Sequence, residues 1–92
     1  MKNLTSLNLA RNNLTEIPIE ISYFNKLKFL YLNDNQITKM QYGLSRLIEL
    51  EFLNLSNNNI NKVINDSICS LIQNNCRINF SNNLLKAPLP SC

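Results

Sequence analysis

Residues 50–60 read LEFLNLSNNNI. Leu53 and Leu55 are two positions apart, so a strand would turn both side chains to one face and Phe52 to the other. Asn58 follows where the chain must turn, between apolar residues. A buried asparagine at such a turn bonds the backbone N–H and C=O groups that the turn leaves unpaired. The stretch therefore predicts a short strand closed by a structural asparagine.

The same pattern, L-x-x-L-x-L-x-x-N-x-(I/L), returns along the chain. Its turn asparagines lie 23, 23 and 25 residues apart, and they are Asn12, Asn35, Asn58 and Asn83. The alternative is an amphipathic helical chain, but a helical pattern does not return an asparagine to one register at this interval. The fourth copy is degenerate, since Asn75 replaces its first leucine. We therefore interpret residues 1–92 as one domain with repeats at 4–26, 27–49 and 50–74, and a partial repeat at 75–92.

The second half of each unit carries apolar residues three to five positions apart. They are Ile17, Ile21 and Phe24 in the first unit, Met40, Leu44 and Leu47 in the second, and Val63, Ile68 and Leu71 in the third. This spacing predicts a short helical or 3₁₀ turn that packs inward. Pro18 argues against a long regular helix in the first unit. The third unit has two extra residues around positions 64–66.

The repeat resembles the leucine-rich repeat of the 23-residue type, and the resemblance covers residues 4–90. It implies an α/β fold, namely a right-handed solenoid with a parallel β-sheet on the concave face. Short 3₁₀, helical or irregular arms would return on the convex face. Strands are expected near residues 6–10, 29–33, 52–56 and 77–81. The resemblance also implies use as a protein-recognition module, and the Ile17-Pro18 pair looks like the intracellular and bacterial types.

Composition narrows the classes of partner. The chain of 92 residues has a net charge of only +3 and nine scattered basic residues. Lys39 and Lys62 share a register column, but no basic run is interleaved with aromatics as a nucleic-acid surface requires. No apolar run is long enough to span a bilayer. No signal peptide is expected, because residues 1–3 lead directly into the first repeat.

Three cysteines, Cys69, Cys76 and Cys92, form no paired framework. An odd count of this kind favours reduced thiols and a cytoplasmic location, with an extracellular one less favoured. The cysteines are poorly spaced as zinc ligands, and no histidine is present to help them. We therefore expect no metal and no cofactor.

Enzymatic chemistry has little support. The absence of histidine excludes a histidine-based triad or dyad. A single glycine cannot build a phosphate-cradling loop. The six acidic residues share no evident pocket in this register. We predict that the chain is not an enzyme.

The outward positions of the strands suggest a binding face. Phe29 and Phe52 share a column, Tyr31 lies beside them, and Arg77 continues the column. Adjacent strands are about 4.8 Å apart, so these rings are expected to touch. Exposed aromatics beside an arginine have the composition of a binding hot spot. The alternative is that the rings stack only on each other and on their strand neighbours. The predicted partner-binding residues are Phe29, Tyr31, Asp34, Phe52, Asn54, Arg77 and Arg11, and the structural asparagines are Asn12, Asn35, Asn58 and Asn83.

Two functions of different classes follow from these features. We predict a protein–protein interaction module that binds a partner protein on its concave face, as an adaptor or scaffold, a regulatory subunit or an effector fragment. The alternative is a structural subunit of a larger assembly that makes contacts through uncapped ends. A third reading is the recognition domain of an enzyme whose catalytic part lies elsewhere.

The first repeat is the expected point of assembly. Residues 1–3 are too few to build a cap, so the first strand would present an unpaired edge. A homodimer through this edge would be antiparallel about a two-fold axis.

Overall fold

The computed structural model describes residues 3–40, 43–62 and 65–85. Val63, Cys92 and the end of the partial repeat therefore lie outside the described residues. The described residues form four strands, which are β1 (Ser6–Asn8), β2 (Phe29–Tyr31), β3 (Phe52–Asn54) and β4 (Arg77–Asn79). They pair in sequential order, all parallel, with Leu7, Leu30, Leu53 and Ile78 aligned. This open parallel sheet confirms the predicted right-handed solenoid of the leucine-rich-repeat type. We number its coils 1 to 4 by their strands.

Each strand has three residues rather than the predicted five. Three of the strands, β1, β3 and β4, each end at an asparagine whose side chain closes a turn behind the strand. In β3 the Asn54 Oδ1 accepts the backbone N–H of Ser56 at 3.0 Å. Backbone hydrogen bonds between neighbouring coils nevertheless continue beyond the strands, since the Asp34 N–H donates to the Ser56 carbonyl at 3.0 Å. The sheet thus passes into a stack of turns in the same register.

The arms that return from one strand to the next are short helices, as predicted. The first two are 3₁₀ helices at Ile19–Tyr23 and Leu44–Arg46, and the third is an α-helix, α1, at Asn65–Gln73. Pro18 precedes the first arm, and Gly43 precedes the second with φ of 98°. The third arm has two extra residues and neither proline nor glycine, so it completes an α-helix of nine residues.

The core lies between the sheet and these arms. In coil 2 the four inward leucine-frame residues, Leu27, Leu30, Leu32 and Ile37, are 0 % exposed. Burying a side chain of this size stabilises the fold by about 1.5–3 kcal/mol. In coil 1 the corresponding residues are only half-buried; they are Leu4, Leu7, Leu9 and Leu14. Each coil is therefore closed by its neighbours rather than by itself.

The turn asparagines, which we call the asparagine row, join successive coils. The Asn58 Nδ2 donates to the carbonyls of Leu32 and Leu55, each at 3.0 Å, and of Ser56 at 3.3 Å. Its Oδ1 accepts the N–H of Ile37 at 3.0 Å. Leu32 and Ile37 belong to the preceding coil, so one side chain satisfies backbone groups on both sides of the interface. Every buried side-chain nitrogen and oxygen in the described part of the chain has a hydrogen-bond partner.

The cysteines differ from the expectation. Cys69, a half-buried residue of α1, is disulfide-bonded, whereas Cys76 is a buried free thiol. The prediction that all three thiols are reduced is therefore wrong. Burial raises the pKa of Cys76 to about 11, against a smaller lowering by the neighbouring Arg77 charge. The sequence carries no spacing pattern around Cys69 that marks a disulfide partner.

Candidate functional site

The outward side of the sheet presents alternate residues of each strand. Leu30 and Leu53, at the centres of β2 and β3, are 0 % exposed and face the core. The residues that flank them are half-buried on the opposite face; they are Phe29, Tyr31, Phe52 and Asn54. The sheet therefore holds two aromatic-rich strands side by side at its centre.

Three large side chains meet there, and we call them the concave aromatic cluster: Tyr31, Phe52 and Arg77. The rings of Tyr31 and Phe52 have centroids 5.9 Å apart and cross at 65°, an edge-to-face contact. The Arg77 Cζ lies 5.5 Å from the centroid of the Phe52 ring. Such aromatic pairs stabilise by about 0.5–1.5 kcal/mol beyond area burial, and the cation–π contact adds to this. The cluster links coils 2, 3 and 4 and is held in place before any partner arrives.

Phe29 has the strand position expected from the sequence but a different role in the ring contacts. It lies beside Phe52 in the strand register. Among the described residues, however, the ring pair that forms is the diagonal one between Tyr31 and Phe52. Two rings directly opposite on neighbouring strands would approach a face-to-face sandwich, which their quadrupoles disfavour. The diagonal neighbour can meet the Phe52 ring edge to face. Phe29 thus borders the cluster without entering it.

Asparagines form a polar rim whose oxygens are already engaged. The Asn54 Oδ1 accepts the Ser56 hydroxyl at 2.7 Å as well as the Ser56 N–H, and Asn79 does the same with Ser81. The Asn54 Nδ2 has no hydrogen-bond partner among the described residues, so this amide can offer donors to a ligand. Ser56 is only 7 % exposed. Ser56 is therefore not presented to a partner, because its hydroxyl turns back onto Asn54.

Arg11 and Asp34 occupy equivalent turn positions after β1 and β2. Both have left-handed backbone conformations, with φ of 61° and 59°. The Asp34 carboxylate accepts the Asn33 side-chain amide at 2.7 Å. The ion pair formed within the described ranges is elsewhere, between Lys26 and Glu49 at 3.5 Å. Arg11 and Asp34 thus flank the cluster as separate charges of opposite sign.

A second apolar surface lies on the convex side and was not predicted from the sequence. Ile19 and Tyr23 are 64 % and 67 % exposed and border an open hollow of about 340 Å³ with Gly43. The sequence does contain a signal for the exposure of Ile19, because Ile19 lies two residues from both Ile17 and Ile21. Those two are buried, so Ile19 falls on the outer side of the arm.

The described residues hold neither a cluster of metal-binding side chains nor a helix that could span a membrane. No group of three or more histidine, cysteine, aspartate or glutamate side chains converges within residues 3–40, 43–62 and 65–85. No helix in those ranges is both long enough and apolar enough to cross a lipid bilayer.

Comparison with known proteins agrees with the repeat. The family model described as "Leucine Rich repeats (2 copies)" matches residues 2–45, and the one described as "Leucine Rich Repeat" matches residues 49–71. The chain belongs to the leucine-rich-repeat family. Leucine-rich-repeat folds commonly mediate protein–protein interaction. No curated protein matches the chain.

A solved leucine-rich-repeat protein of Leptospira interrogans has the same fold. It matches with a TM-score of 0.81 and 30 % sequence identity over 89 % of this chain. The match covers 20 % of that protein, so this leucine-rich-repeat chain spans about a fifth of its length.

Proposed function

We propose that this leucine-rich-repeat chain is an interaction module that binds a partner protein on its concave face. The observation that carries the proposal is the contact of Tyr31, Phe52 and Arg77 on the outward side of three successive coils. Binding hot spots are enriched in tyrosine and arginine and cluster near the centre of an interface. The adaptor, scaffold, regulatory and effector roles are all forms of this activity.

The geometry also indicates how such a face would bind. Because the two rings and the guanidinium already restrain one another, little side-chain freedom is lost when a partner covers them. The Asn54 Nδ2 and Arg77 offer donors, so the partner should bring carbonyl or carboxylate oxygens beside an apolar side chain. Arg11 and Asp34 would orient the partner and affect the association rate more than the affinity.

Two further properties form part of the proposal. We propose that the chain is not itself an enzyme, an inference supported by a sequence without histidine and by the binding role of the family. A cytoplasmic location stays a prediction. The Cys69 disulfide removes one of its supports, because disulfides persist chiefly in oxidising compartments.

Site-specific photo-crosslinking tests the proposal. A benzophenone amino acid replaces Phe29 on the concave rim in one variant and Tyr23 on the convex side in another, so each change exchanges one aromatic ring for another. After irradiation in an extract of the source organism, the variant at position 29 should capture a discrete protein. The same variant carrying Phe52→Ala should lose that capture. Capture only from position 23 would place the binding surface on the convex side and contradict the proposal.

A further inference from the structure

Coils 3 and 4 place two asparagines side by side on the outward face of the sheet. Asn54 and Asn79 are aligned partners in β3 and β4, and so are Phe52 and Arg77 two residues earlier. Neighbouring strands lie about 4.8 Å apart, and residues two positions apart on one strand are separated by about 6.6 Å. The four side chains therefore surround one small area of the concave face.

Both asparagines hold their amide groups in the same orientation. The Asn54 Oδ1 accepts the Ser56 N–H at 3.0 Å and the Ser56 hydroxyl at 2.7 Å. The Asn79 Oδ1 accepts the Ser81 N–H at 3.0 Å and the Ser81 hydroxyl at 2.8 Å. Because a backbone N–H can only donate, it fixes the oxygen side of each amide. The two Nδ2 groups, which have no partner in the described part of the chain, remain available to a ligand.

Arg77 adds a positive charge to these donors. Its side chain is exposed, and its Cζ lies 5.5 Å from the centroid of the Phe52 ring. The ion pair that forms among the described residues joins Lys26 to Glu49, so Arg77 has no carboxylate partner within them. A guanidinium carries five N–H donors and no acceptor. The contact with Phe52 thus restrains the arginine while its donors stay free for a ligand.

We infer that Asn54, Arg77 and Asn79 form a subsite for the carboxylate of an acidic side chain of the partner protein, an inference that rests on the proposed function. An ionised carboxylate accepts hydrogen bonds at about four lone-pair positions and donates none. The three side chains offer only donors, because each asparagine Oδ1 already accepts two hydrogen bonds. A ligand amine or hydroxyl would find no free acceptor here, and an ammonium would also be repelled by Arg77.

The subsite is confined to coils 3 and 4. In the column that holds Asn54 and Asn79, β2 carries Tyr31 and β1 carries Asn8, so no other pair of neighbouring described strands aligns two asparagines. None of β1, β2 and β3 contains an arginine. The rings of Tyr31 and Phe52 border the subsite on the side of coil 2. The acidic residue of the partner should therefore lie next to an apolar residue that covers these rings, which gives the partner a direction along the solenoid.

Side-chain amide signals in nuclear magnetic resonance spectra test the inference with defined probes. The whole chain is titrated with acetyl-Leu-Glu-Leu-amide, and the matched control is acetyl-Leu-Gln-Leu-amide, which has a similar shape without the charge. The glutamate peptide should shift the Nδ2 signals of Asn54 and Asn79 and leave that of Asn61, an exposed residue outside the strands. It should bind at least about fivefold more tightly than the glutamine peptide, because charge-assisted hydrogen bonds are the stronger ones.

Two arginine variants locate the effect. Arg77→Gln should abolish the preference for the glutamate peptide, whereas Arg46→Gln, which removes the same charge from the exposed side of the second arm, should preserve it. Equal affinity of the parent for the two peptides would overturn the inference, and so would shifts that leave Asn54 and Asn79 unaffected. Tighter binding of acetyl-Leu-Leu with a free terminal carboxylate would overturn the assignment to an acidic side chain.

Capture of the partner separates this inference from the function on which it rests. In the photo-crosslinking variant at position 29, Arg77→Gln should lower capture at least about fivefold, and Arg46→Gln should leave it unchanged. Capture that is lost with Phe52→Ala but kept with Arg77→Gln would overturn the subsite and leave the proposed function intact. If no protein is captured, the proposed function fails, while the peptide titration still decides the subsite. Urea midpoints show whether each variant remains folded.

Discussion

At the scale of single residues, Asn58 is a key structural side chain of the fold. It is 5 % exposed and bonds four backbone groups in two coils. We expect Asn58→Ala to lower the free energy of unfolding by about 1–3 kcal/mol, because the orphaned groups stay buried. The control is Asn59→Ala in the same turn, where the side chain is exposed. Urea denaturation measures both, and an unchanged midpoint and slope for Asn58→Ala would refute the structural role.

Arg11 is strained by its backbone. It has φ of 61°, a region that asparagine and aspartate tolerate and most other residues avoid. The equivalent turns carry Asp34, Asn57 and Asn82. We expect Arg11→Asn to raise the free energy of unfolding by up to about 1 kcal/mol. Arg46→Asn, in the second 3₁₀ helix, is the comparison in thermal unfolding. If Arg11→Asn raised the free energy of unfolding no more than Arg46→Asn does, the result would count against backbone strain at Arg11.

Cys76 should make the stability depend on alkaline pH. Burial raises the pKa of its thiol from 9.0 to about 11 in the folded chain. Between these values the unfolded chain releases a proton that the folded chain keeps, so the contribution is present below pH 9 and is lost as the pH rises towards 11. We expect the parent to lose more stability over this range than Cys76→Ala does. If the urea midpoints of the parent and of Cys76→Ala depended on pH in the same way, the assignment of this effect to Cys76 would be contradicted.

At the scale of elements, Gly43 decides how the second arm begins. Its φ of 98° lies where side chains are strained, and an added Cβ would stand 3.4 Å from the Cβ of Ser22 on the first arm. We expect Gly43→Ala to destabilise the fold by about 1 kcal/mol or more. Ser45→Ala, an exposed position in the same 3₁₀ helix, should be nearly neutral. Equal unfolding midpoints for the two variants would show that the arm adapts to the extra carbon.

The strands and their register could be predicted from the sequence because each depends on a few local residues. Leucines two apart and an asparagine three residues later recur at one interval, and they place Leu30 beside Leu53 without any distant information. The α-helical third arm was only partly predictable. Two added residues permit a full helix, but the choice between 3₁₀ and α geometry depends on packing against the second arm.

The candidate site was less predictable than the fold. Alternation along the strands places Phe29, Tyr31, Phe52 and Arg77 on one face, as predicted. Which of the rings meet depends on side-chain rotation, and the pair that forms is Tyr31 with Phe52. The Cys69 disulfide was not predicted, because the spacing of the three cysteines marks no pair. The left-handed turn at Arg11 could in principle have been predicted from the sequence, because three of the four equivalent positions are asparagine or aspartate.

At the scale of the whole molecule, stability and binding depend on the same neighbouring coils. A solenoid is stabilised chiefly by contacts between adjacent repeats. The concave aromatic cluster spans coils 2 to 4, whereas the exposed side chains of Ile19 and Tyr23 lie on the first arm. The two surfaces can therefore be changed separately, and a loss of binding at one need not accompany a loss at the other.

The central claim, that the concave cluster carries partner binding, is tested most directly by titration calorimetry with the protein captured by photo-crosslinking. We expect Phe52→Ala to weaken the affinity by about 2 kcal/mol, roughly 30-fold. Tyr23→Ala, on the exposed convex side, should stay within about twofold of the parent. Urea midpoints of both variants show whether each remains folded. Parental affinity in a folded Phe52→Ala variant would contradict the account.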